Sequence, residues 1–164
     1  MDPTEPALAH RAHRLAGAIY GTVLATTVVA ATGHDPDAID HAAALVAGTA
    51  VVFWLAHVYS LGVAARLVVR RPLHRDELWG LARAEWPMLQ SSLPILLALM
   101  LGVVGLVDRS TAIDLAMAVG IGALFTYGFI IGRQERLGWF RILLNTLLAG
   151  ALGLAILALK VLVH

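Results

Sequence analysis

Five continuous apolar runs, separated by short polar segments, dominate the chain. They extend from Leu15 to Gly33, Ala42 to Ala65, Pro87 to Val107, Ala112 to Gly132 and Leu137 to Val163. Each has the length that a helix needs to cross a hydrocarbon core, about 20 residues. The runs do not alternate, and an open sheet in lipid would leave backbone groups unpaired, so helices are predicted rather than strands. No internal repeat or low-complexity stretch interrupts the pattern. The predicted fold is therefore all-α: one polytopic transmembrane bundle over residues 1–164, with about five spans.

The longest connection, Arg71 to Trp86, carries a pattern of its own. Asp76 and Glu77 suit the start of a helix, and Leu78, Leu81 and Ala82 share one face of it. Trp79 and Trp86 suit the headgroup level, and Pro87 suits the first turn of the next span. The segment reads as a short amphipathic helix on the cytoplasmic membrane surface. It serves either as an arginine-rich anchor or as a docking surface for a membrane-protein partner or anionic lipid.

Composition agrees with the pattern. Hydrophobic residues make up 59% of the chain and charged ones 14%, with a mean hydropathy of +0.79. A soluble domain of this size needs more polar surface than that, so the lipid bilayer is the expected surrounding. The net charge of +1 excludes the basic face that a nucleic-acid partner requires. Cysteine is absent, which removes disulfides, thiolate metal sites and cysteine nucleophiles. The first run ends in Val29-Ala30-Ala31 and mimics a signal peptide, but the acidic, proline-bearing Asp2–Pro6 before it argues that the run is retained.

Charge placement sets the expected orientation. Arg11, Arg14, Arg66, Arg70, Arg71, Arg75, Arg83, Arg133, Arg136 and Arg141 flank one side of the spans, and Arg109 and Lys160 the other. Short cytoplasmic loops concentrate arginine and lysine, so the N-terminus is predicted inside and the C-terminus outside.

His57 is the most informative candidate for chemistry, lying near the centre of the second run. Ionisable groups at that depth usually face protein or water and default to a functional role. The competing reading is a neutral imidazole bonded to a neighbouring helix. Tyr20, Ser60, Gln90, Tyr127 and Asn145 sit at comparable depth, so a His-centred polar cluster opening toward the cytoplasm forms if the helix faces converge. Glu85 is assigned to the interface, which leaves no deep acid–base pair; no catalytic residue and no enzyme activity are expected. Pro94 predicts a kink in the third span, with Ser91 or Ser92 available to the freed backbone groups.

Other candidates are weaker. Asp114 and Lys160 make a possible ion pair near the outer face, although Thr111–Asp114 also resembles a helix cap and Lys160 can snorkel. The loop His34–His41 lacks a recognised ligand spacing, so no metal and no cofactor are expected. Gly17 with Gly21 and Gly128 with Gly132 match the small-residue spacing that permits close helix packing, within a bundle or between protomers.

The run Val52–Tyr59 and the terminal Leu157–His164 resemble small integral membrane proteins of high-GC actinobacteria, a group with no assigned activity. The resemblance implies a bacterial plasma membrane and transfers no site residues. Together these features predict a small oligomeric channel or transporter-like protein with a His-centred intramembrane site. The alternative is a non-catalytic accessory subunit of a larger membrane complex, docked through residues 71–86.

Overall fold

Six α-helices and one 3-10 turn account for the described residues outside short connections. They are α1 (Glu5–Ala31), the turn Pro36–Ala38, α2 (Ile39–Val69), α3 (Arg75–Ala84), α4 (Trp86–Val103), α5 (Arg109–Gln134) and α6 (Trp139–Val163). The structure, a computed structural model, describes residues 5–32, 36–134 and 139–163, with side chains over 10–32, 37–133 and 139–158. No strand occurs among the described residues. Helices α1, α2, α4, α5 and α6 are each long and apolar enough to cross a membrane, which makes this a multi-pass membrane protein.

Local chemistry sets the helix ends. Gly105 takes a left-handed backbone (φ 74°) after α4, and Leu106 N–H closes the helix onto the Leu101 carbonyl at 2.9 Å. The start of α5 is capped by Asp108 rather than by the Thr111–Asp114 segment. Asp108 Oδ2 accepts from Ser110 Oγ at 2.6 Å and from Thr111 N–H at 3.4 Å. These bonds, the serine's first, hold the Asp108 carboxyl below its ordinary range. Asp114 therefore lies within α5, exposed, and Lys160's side chain is outside the described residues, as is Asp35.

The lengths of α2 and α4 differ in a way that decides where the polar residues sit. Helix α2 has 31 residues and α4 has 18. At 1.5 Å per residue these are about 46 Å and about 27 Å, against a hydrocarbon core of about 30 Å. One end of α4 meets the start of α2, where Gly102 faces Ile39. At the other end the Trp86 and Trp54 rings meet edge to face, 6.0 Å apart. Residues 58–69 of α2 thus project about 18 Å past the start of α4. His57 lies level with that start, not at the middle of the bundle. The arginines at the end of α2 resemble a loop in sequence, so its length is underestimated and its midpoint misplaced.

Helix α3 folds back along this projection. Leu78 lies against Gly62, and Trp54 Nε1–H donates to the Ala82 carbonyl at 3.2 Å. Its first turn is tied by Glu77, which accepts from His74 N–H at 2.7 Å and from both Arg71 guanidinium nitrogens at 2.9 and 2.7 Å. The amphipathic segment is a helix as predicted, but its inner face is committed to α2, with Trp79 left exposed.

The predicted glycine faces are used inside the bundle. A Cβ at Gly21 would overlap the Met88 carbonyl and the Ser91 hydroxyl, and Gly17 also faces Met88, so these two join α1 to α4. Gly128 and Gly132 join α5 to α6, against Asn145, Ala149 and Ile142. Of the two uses that the spacing allows, within a bundle or between protomers, the structure shows the first for these four glycines.

Away from the arginines, the interior is apolar and close-packed. Ala25, Val29, Val46, Ile95, Leu99, Ala112, Ala116 and Met117 form one cluster drawn from α1, α2, α4 and α5. Thr22 and Thr26 are buried there too, but each hydroxyl donates to a carbonyl four residues back in α1, so neither adds a free polar group.

Candidate functional site

The turn between α3 and α4 delivers Glu85 into the bundle. Its N–H donates to the Leu81 carbonyl at 3.1 Å, which continues α3 up to the turn, and α4 begins at the next residue. Because α3 is held to α2 and α4 is held to α1, the Glu85 side chain has only the space between α1 and α2 to enter. It is 2% exposed. One carboxylate oxygen, Oε1, is hydrogen-bonded to His13 Nε2 of α1 at 2.5 Å. The other, Oε2, lies 3.5 Å from His57 Nε2 of α2. Gly17 leaves room for that oxygen on the α1 side.

The two imidazoles are unlike Glu85 in exposure, each being about half exposed (46% for His13 and 47% for His57). The Tyr20 ring stacks over His57 with centroids 6.3 Å apart and an angle of 27°, and Tyr20 also approaches Phe53 at 6.4 Å. A cavity of about 300 Å³ opens among His13, Gly17, Tyr20, His57, Glu85 and Met88. The arrangement is a buried acceptor reached through two half-exposed imidazoles. Chemically it sets a carboxylate beside two groups of the kind that can take up or release a proton.

The sequence places Glu85 at the membrane interface, just before the third span; the structure shows that its side chain is nonetheless buried among the helices there. His13 was not singled out for this role. A signal for both existed. Glu85 is an acidic residue set between Arg83 and Trp86-Pro87, and His13 occupies the matching end of the first run. What was missing is that α3 turns back and carries Glu85 inward.

The remaining candidates do not join this cluster. Gln90 and Tyr127 line a second cavity, of about 400 Å³, on the other side of the α1–α4 seam, with Arg11, Arg14, Pro87 and Ser91. Ser60 is exposed one turn beyond His57 and lines neither cavity, and Asn145 is half buried where α6 meets Gly128. Ser91 and Ser92 donate to the carbonyls of Met88 (2.9 Å) and Leu89 (2.7 Å), and not to that of Gln90, which Pro94 leaves without its helical donor. So of the six polar-cluster candidates, His57 and Tyr20 converge on Glu85, Gln90 and Tyr127 converge elsewhere, and Ser60 and Asn145 join neither pair.

Among the described residues, no group of three histidine, cysteine, aspartate or glutamate side chains has metal-holding geometry. The chain matches no protein-family model, and comparisons with curated proteins and with solved structures found no significant match.

Proposed function

We propose that this is a small transporter-like membrane protein that responds to protons, with His13, Glu85 and His57 as its working site and Tyr20 beside them. One observation supports this above others: a carboxylate 2% exposed inside an apolar bundle, met by imidazoles from two other helices. A buried carboxylate is costly in such surroundings unless it is partnered, and ionisable groups in membrane proteins are the default functional candidates. Imidazole is the side chain whose charge changes within the physiological range. Loading a proton alters the net charge of the cluster, and with it the attraction that holds the α3–α4 turn to α1 and α2. That is the differential interaction a proton needs in order to bias one helix arrangement over another.

The close-packed apolar half argues against an open channel through one protomer, so transport requires the helices to move. The same packing favours the second reading, an accessory subunit of a larger membrane complex in which the cluster only fastens helices. The arginine asymmetry supports an orientation with the arginine-rich end cytoplasmic, and the sequence resemblance supports a bacterial plasma membrane. Single cysteines at Ser110 and Asp76 test the orientation in intact cells: the first should react with an impermeant thiol reagent and the second should not.

The functional test is flux in proteoliposomes carrying an internal pH dye. The transporter reading expects a proton movement above empty vesicles that depends on pH and is flattened by His57→Phe or His13→Phe. Wild-type vesicles as tight as empty ones, across ions and pH, would favour the accessory subunit instead.

A further inference from the structure

The second cavity, between α1, α4 and α5, has a chemistry of its own. Arg11 and Arg14 stand one turn apart on α1 and line it together with Gln90 of α4 and Tyr127 of α5. None of these four side chains is hydrogen-bonded or ion-paired to a described residue. Glu85, just before α4, is turned to the other side of the seam, where it meets His13 and His57. Two guanidinium groups, an amide and a phenol hydroxyl therefore line one cavity of about 400 Å³ to which no acid among the described residues contributes. That donor set suits the oxygens of a phosphate group.

The cavity is also apolar in part. Leu15, Ala18 and Pro94 add apolar surface to its lining beside the four polar side chains. Pro87, at the rim, follows Trp86, which is half exposed at the start of α4. Tryptophan at the end of a span marks the headgroup level. We propose that this cavity binds the phosphate of an anionic phospholipid, with Arg11, Arg14, Gln90 and Tyr127 on the headgroup and the upper acyl chain along Leu15 and Pro94. A free phosphate compound would satisfy the donors but leave the apolar lining unused, so the lipid is the better fit to the whole cavity.

Native mass spectrometry of the purified protein, with phosphatidylglycerol and phosphatidylcholine in competition, tests the assignment. The wild type should retain the anionic lipid in preference. Arg11→Gln combined with Arg14→Gln should weaken that preference by about tenfold or more, as expected for losing two charge-assisted contacts. Arg66→Gln with Arg70→Gln removes the same charge from the exposed end of α2 and should leave the preference intact. All four arginines are exposed, so neither double variant disturbs the core. Equal loss in both variants, or no loss in the first, would overturn the site. Inorganic phosphate and glycerol phosphate at millimolar concentration should not displace the lipid; a soluble phosphate that raises the melting temperature through Arg11 and Arg14, with no lipid preference, would overturn the lipid assignment.

Discussion

The two halves of the bundle are built on opposite terms. Toward the Arg109 end, α1, α2, α4 and α5 meet through small and branched apolar residues, with Val29, Ile39, Val46 and Leu99 fully enclosed. Toward the arginine-rich end, α1 and α4 still touch at Gly17 and Gly21, but His13, Tyr20, His57, Gln90 and Tyr127 border two open cavities beside that contact. Among the described residues, Glu85 alone of the charged groups is enclosed there. In lipid, helices gain from close packing and from interhelical bonds rather than from hydrophobic burial. The first half has a close-packed apolar interior. The second keeps ionisable groups reachable beside its helix contacts. A difference of this kind is what a protein needs if one half must stay fixed while the other changes charge.

Substitutions sharpen that contrast. The largest effect is expected at Gly21, whose missing Cβ lets the α4 backbone approach α1. Gly21→Leu should cost about 3 kcal/mol or more and prevent the bundle from closing, because the obstacle is backbone. Gly122→Leu, at a position with nothing within 4 Å, should stay within about 0.5 kcal/mol. Unfolding in detergent, followed by circular dichroism, distinguishes them. Next comes Leu99→Ala, which opens a void in the enclosed half and should cost about 2–5 kcal/mol. His57→Phe should cost at most about 1 kcal/mol, since its contact with Glu85 is long and the imidazole half exposed. Comparable losses at Leu99 and His57 would remove the distinction between the halves.

The smallest effect concerns α3, which carries the Glu85 turn. The Arg71 hydrogen bond, followed by that from His74, lowers the Glu77 carboxyl from its ordinary 4.5 to about 2. A depressed carboxyl pKa adds stability that is fully present above 4.5 and is lost as pH falls toward 2. The protection of the Leu78 and Trp79 amides, taken relative to unstructured peptide at the same pH, should fall across that window. Glu77→Gln should make them fast at all pH values while leaving the α4 amides protected.

Much of this fold is legible in sequence because membrane crossing is a demand on length and apolarity, which a single chain displays. The five spans and the amphipathic α3 follow from it. Helix ends are less legible. The arginines at the end of α2 read as loop yet continue the helix to Val69, and the cap of α5 is Asp108 rather than a residue of the Thr111–Asp114 segment. The site was half visible. His57 and Tyr20 stand out as polar groups in apolar runs. Glu85 and His13 do not, because each sits among other polar residues at a run's end. Only the fold-back of α3 along α2, fixed by Trp54 and Ala82, brings Glu85 between them. The glycines were recognised as packing positions, but no spacing rule says whether the partner helix belongs to the same chain.

The central claim is that the Glu85 cluster moves protons while the enclosed half only holds the helices. Proton flux measured side by side in vesicles carrying wild type, Glu85→Gln or Leu99→Ala tests it most directly. Glu85→Gln is expected to stay folded and abolish the pH-dependent flux. Leu99→Ala is expected to melt earlier yet keep the wild-type pH profile below its melting temperature. A Glu85→Gln protein with wild-type flux, or a Leu99→Ala protein whose pH profile collapses while it is still folded, would contradict the account.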